Sequence, residues 1–209
     1  MELHFQIMKW KLCTALVRCW GRETGTLLLI HVVETIVGWT NPLINNVICD
    51  CSFNDSTICH VTHIFLKEQN LSGTLPPNLG SLSYLQQIDL SRNYLSGPIP
   101  PEWGSSTRLV SISLLGNRLT GSILVELTNL RNLTFLILDN NGLSGTLPEA
   151  LGNLSKIERL HLSSNYFTGK ILETFARLTS LKAFRISDNN FTGQIPDFIF
   201  RNWTNLEEM

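Results

Sequence analysis

Charged side chains are scarce. They make up 16% of the 209 residues, and the net charge is −1. That balance lacks the basic footprint that nucleic acid or an anionic membrane surface calls for. No block of five or more like charges occurs, so acidic and basic tails are missing too. Cysteine is absent after Cys59. Long apolar runs are also missing. The strongest, Leu27 to Val33, is ended by Glu34, short of the roughly 20 residues a spanning helix needs. There is no Gly-rich phosphate loop, no kinase lysine strand and no His-Arg-Asp loop, so the marks of a phosphotransferase are lacking. The histidines His4, His31, His60, His63 and His161 are scattered, and Glu149, Glu158 and Glu173 read as solvated surface. We expect no catalytic residue, no metal and no cofactor, and a chain that is not itself an enzyme.

What the chain does contain is a 24-residue period from about residue 61 to residue 197. Asparagines recur at Asn93, Asn117, Asn141, Asn165 and Asn189. Glycines recur at Gly73, Gly97, Gly121, Gly145, Gly169 and Gly193. Apolar columns run in phase with them, one through Ile64, Ile88, Ile112, Leu136, Leu160 and Phe184, and another two residues on. A fixed period of this length means stacked coils. Apolar–polar–apolar triplets such as Ile88-Asp89-Leu90 predict a short strand with one buried face. The Asn column sits where the chain leaves the strand, so its amide can bond backbone groups that would otherwise be buried unpaired. The Gly column supplies a tight backbone turn.

Three segments follow. Residues 1–38 lie outside the repeat, residues 39–62 form a cysteine-containing cap, and residues 63–209 hold six repeats and the start of a seventh. In residues 1–38 the pieces of a signal peptide are present but interrupted by Arg18, Arg22 and Glu23. The readings are a non-standard signal, a spanning anchor, or unrelated or mis-spliced sequence. Cys13, Cys19, Cys49, Cys51 and Cys59 are odd in number. Cys49, Cys51 and Cys59 lie near His60 and His63, but zinc usually needs two ligand pairs at tighter spacing. A disulfide-stapled cap, with Cys59 joined to Cys49 or to Cys51, is the better reading. Leu206-Glu207-Glu208-Met209 matches the opening of another strand. A solenoid needs a terminal cap, so the expectation is a chain truncated relative to its functional product.

The unit L-x-x-L-x-x-L-x-L-x-x-N-x-L-x-G-x-I-P, complete at Gly97-Pro98-Ile99-Pro100 and lacking its proline at Ile123-Leu124 and Ile171-Leu172, resembles the plant class of leucine-rich repeats. With the cap segment from Cys49 to Thr62, residues 39–209 resemble the plant receptor-like serine/threonine kinases that also carry a malectin-like domain. The resemblance implies an α/β-type solenoid. This is a right-handed superhelix with one short parallel strand per repeat and a convex side of short 3-10, helical or irregular segments. It further implies an ectodomain outside the plasma membrane, a membrane helix and a cytoplasmic kinase, of which this sequence holds the first. Its partners would be a peptide, protein or carbohydrate ligand, with a co-receptor as a second partner and no nucleic acid. A stand-alone secreted inhibitor of a microbial wall-degrading enzyme, and a fragment without function, are the other readings.

Six glycosylation sequons begin at Asn54, Asn70, Asn132, Asn153, Asn190 and Asn202, against about three expected from composition. They favour a secreted chain. Strand residues flanking the buried pair should point to the concave side. Most are small and polar there. Leu115, Phe135 and Ile137 instead form an apolar group beside Arg159, His161 and Arg185. An apolar patch next to arginines is the pattern that interfaces favour, so these six are the candidate ligand-binding residues.

Overall fold

A computed structural model describes residues 46–53 and 58–209. The expectations for residues 1–38 and for the sequon at Asn54 lie outside the described residues. So do those that rest on the side chains of Cys51 and Cys59.

Each coil of the chain contributes to two parallel sheets. The first has seven strands: β1 (Asn46–Phe53), β2 (Ile58–Phe65), β4 (Gln87–Asp89), β6 (Ser111–Ser113), β8 (Phe135–Ile137), β10 (Arg159–His161) and β12 (Ala183–Arg185). From β2 onward its strands pair in parallel, each residue opposite the one 24 further on, as in His63 with Gln87 and Arg159 with Ala183. The second has six strands: β3 (Ser72–Thr74), β5 (Tyr94–Gly97), β7 (Arg118–Gly121), β9 (Gly142–Thr146), β11 (Tyr166–Gly169) and β13 (Asn190–Phe191). Here the offset is 22, as in Ser72 with Tyr94 and Ser144 with Tyr166. The stacked coils expected from the period, and the leucine-rich-repeat solenoid that the resemblance implies, are thus the fold.

The coils are held by a shared core. Ile64, Ile88, Ile112, Leu136, Leu160 and Phe184 are each at most 4% exposed. One coil cannot bury such residues alone; its neighbours cover them. The convex side is a row of 3-10 turns at Pro77–Ser81, Pro101–Ser105, Val125–Asn129, Glu149–Asn153 and Glu173–Arg177. Prolines open the first two, where a missing N–H costs nothing. Leu124 and Leu172 hold the same extended backbone as Pro100, so the proline is dispensable for the turn. In the sixth repeat one extra residue widens the turn into a short α-helix, α1 (Phe198–Asn202), with Phe198 and Ile199 buried.

The Asn column bonds coil to coil. The Asn165 Nδ2 donates to the carbonyl of Leu138 in the previous coil at 2.9 Å and to that of Leu162 at 3.1 Å. Its Oδ1 accepts from the Leu143 N–H at 3.0 Å. Asn93, Asn117, Asn141 and Asn189 repeat the pattern. Gln69 fills the position in the first coil and donates to the carbonyls of Lys67 and Glu68. One residue before each ladder position the backbone turns left-handed. Glu68, Arg92, Gly116, Asn140, Ser164 and Asp188 have φ between 52° and 67°. The N–H of Ser164 donates to the carbonyl of Ser187, and those of Glu68, Arg92, Gly116 and Asn140 do likewise; these bonds hold the strained residues in place.

Both ends of the first sheet are covered. β1 runs antiparallel to β2, with Val47 opposite Ile64, and Cys49 is disulfide-bonded. At the other end Glu208 bridges to Ala183 in parallel, the start of a seventh strand. Among the described residues no helix is long and apolar enough to cross a membrane.

Candidate binding face

The first sheet positions the candidate residues. In β8, Leu136 is buried in the core while Phe135 and Ile137, on the other face of the strand, are half-buried. β10 lies alongside, with Arg159 opposite Phe135 and His161 opposite Ile137. On the other flank β6 places Ser113 opposite Ile137. Leu115 follows two residues on and is half-buried. The structure therefore brings Leu115, Phe135, Ile137 and Arg159 to one face of adjacent coils. The Arg159 guanidinium lies 5.4 Å from the centroid of the Phe135 ring, and among the described residues it has no carboxylate partner.

Two of the six candidates sit differently from the expectation. His161 is only 7% exposed. Its ring is turned to Asp139, with Nδ1 3.5 Å from Oδ2. Asp139 is itself buried, and its Oδ1 accepts from the Ser163 N–H at 2.7 Å. His161 thus belongs to the floor of the face rather than to its rim. Its Nε2 is buried without a hydrogen-bond partner. Arg185 is exposed but engaged, its Nε donating to Glu208 at 2.7 Å. The seventh strand takes this cation away from the face. Among the described residues Arg159 is left as the free positive charge beside the apolar group.

Toward β2 the face is polar. The Ser91 hydroxyl bonds to Asp89 and lies 2.7 Å from the Ser113 hydroxyl. His63 is half-buried, and burial pushes its imidazole below the ordinary histidine value. The face thus runs from a hydroxyl–carboxylate network through an apolar centre to one arginine. Such an arrangement can bind a partner through its apolar centre and its arginine.

The five described sequons lie outside the strands of this sheet. Asn70, Asn132, Asn190 and Asn202 are exposed, and Asn153 is half-buried in a convex turn. Asn132 is already engaged, donating to the carbonyl of Thr107 and accepting from Lys156.

Comparison with known proteins fits this geometry. The leucine-rich-repeat family models match residues 131–191 and 84–106. The BIR2 ectodomain from Arabidopsis thaliana is 31% identical with a TM-score of 0.62, and the match covers 75% of this chain and 83% of that one. The chain belongs to the plant leucine-rich-repeat receptor ectodomains. Within this leucine-rich-repeat family, the receptor kinase HAESA, solved with the peptide hormone IDA and the co-receptor SERK1, is 32% identical with a TM-score of 0.70. That match covers 78% of this chain and 27% of the HAESA chain. A probable LRR receptor-like serine/threonine-protein kinase of Arabidopsis thaliana is 49% identical over 67 residues, 32% of this chain. The match spans only 6% of that relative's length.

Proposed function

We propose that this chain is an extracellular recognition module of a receptor-like kinase, and that its first sheet binds a peptide or a protein segment. The observation that carries the reading is the half-exposed group Leu115, Phe135 and Ile137 beside an arginine without a carboxylate partner among the described residues. Aromatic and arginine side chains around an apolar centre are where binding energy concentrates. The ligand this face fits has apolar side chains for the centre and an acidic group for Arg159. The co-receptor contact of the HAESA complex and the sequons support placing the chain outside the plasma membrane.

The test is a displayed library of secreted plant peptides, panned against the glycosylated chain. The expected result is a set of binders carrying an acidic residue next to apolar ones. The variant Phe135→Ala with Arg159→Glu should lose those binders while keeping the melting transition of the parent. Selected peptides that bind this variant as tightly as the parent would remove the first sheet from the account.

A further inference from the structure

The second sheet presents a separate outer face. Its strands alternate, so that Leu95 is fully buried between Tyr94 and Ser96. Tyr94 and Tyr166 are 48% and 64% exposed, large apolar rings left in water on the same sheet. Three strand spacings, about 14 Å across the sheet, separate β5 from β11. Between them, in β7, the Arg118 guanidinium lies 4.8 Å from the centroid of the Tyr94 ring, and in β9 Gly142 leaves a gap with no side chain. The six strands contain no Asp or Glu, and Arg118 is their single charged residue. Lys170 follows β11 directly and is exposed. Neither cation has a carboxylate partner among the described residues. The strand register sets a hydroxyl beside each member of the row: Ser72 opposite Tyr94, Ser96 opposite Arg118 and Ser144 opposite Tyr166.

We propose that this outer face binds an acidic polysaccharide, a chain of uronic-acid sugars lying across the strands. The C–H faces of sugar rings stack on exposed aromatic rings, which gives Tyr94 and Tyr166 their role. Sugar hydroxyls exchange hydrogen bonds with the serines of the row. A sugar carboxylate meets Arg118, and Lys170 adds a second positive charge to a face with no negative one. A protein partner would be expected to bury an apolar centre, which this face lacks. Asn70 and Asn190, both exposed sequons, stand at the two ends of the same 24-residue column as Tyr94 and Tyr166. Glycans there would bracket the row and limit the bound stretch to a short oligomer.

The experiment measures binding of an unesterified oligogalacturonide to the glycosylated chain by calorimetry, with a neutral cello-oligosaccharide of equal length as control. The acidic oligomer should bind, more weakly as salt rises, and the neutral one should not. Tyr94→Ala with Tyr166→Ala should abolish binding, and Arg118→Gln should weaken it about tenfold. Both variants change exposed side chains and should melt as the parent does. The concave variant Phe135→Ala should bind the oligogalacturonide normally, which separates this face from the peptide-binding one. Absence of binding, equal binding of the neutral oligomer, or binding unaltered in the tyrosine variant would overturn the proposal.

Discussion

The guanidinium of Arg159 lies over the ring of Phe135 from the previous coil, 5.4 Å from its centroid. The pair couples the charge of the concave face to its apolar centre. Stacking needs the planar guanidinium, which lysine lacks. Arg159→Lys keeps the charge, so it should weaken a selected peptide about threefold to tenfold, while Arg159→Gln should cost about thirtyfold. Titration calorimetry on the two variants checks the order. Equal losses would mean that the guanidinium plane matters and the charge does not.

Asn165 is buried and bonds both its own coil and the previous one, whereas Asn189 is only half-buried. Removing the Asn165 side chain takes the acceptor from the Leu143 N–H and one of two amide donors from each of the Leu138 and Leu162 carbonyls, which Asn141 and Asn189 still reach. Buried groups without partners are costly, so Asn165→Ala should destabilise the chain by about 3 kcal/mol in denaturant titrations. Asn189→Ala should cost less. A reversed order would contradict the burial difference.

Ser164 holds φ at 55°. A left-handed residue with a side chain costs about 1–2 kcal/mol. Glycine escapes that cost but gives up about 0.5–1 kcal/mol of backbone entropy. The balance favours Ser164→Gly, which should raise the melting temperature by about 1–3 °C. Any drop in melting temperature would show that the strain is absorbed elsewhere.

His63 should make stability depend on acidity. Burial lowers its pKa from the ordinary 6.5, so the unfolded chain takes up the proton first. Stability is therefore full above pH 6.5 and is lost as the pH falls below it toward the folded value. Thermal melts at about pH 7.5 and about pH 5 should show a smaller acid loss for His63→Gln than for the parent. An equal loss in both would assign the effect to other groups.

The apolar columns, the Asn column and the first Gly column were legible because each repeats one residue type at one spacing. The left-handed column was not. It is filled by Glu68, Arg92, Gly116, Asn140, Ser164 and Asp188, so no residue type marks it. The close contact of convex turns was hidden too. A Cβ on Gly152 would stand 2.3 Å from the Thr174 carbonyl oxygen, and Gly80 and Gly104 are similar, but Thr128 and Ala176 interrupt that column. The burial of His161 and the capture of Arg185 each depend on a carboxylate in another coil, Asp139 and Glu208. Periodicity says which face a side chain takes; it does not say which neighbour claims it.

The differing offsets of the two sheets have a geometric consequence. Coils meet squarely in the first sheet but slip by two residues, about 7 Å along the strand, in the second. Matching atoms of successive coils are therefore closer together on the inside than on the outside, and the stack must bend toward the first sheet. Inserting or removing a whole 24-residue unit would leave every coil intact yet swing all that follows to a new bearing. The spacing of two contacts for one ligand is thus fixed by how many coils lie between them.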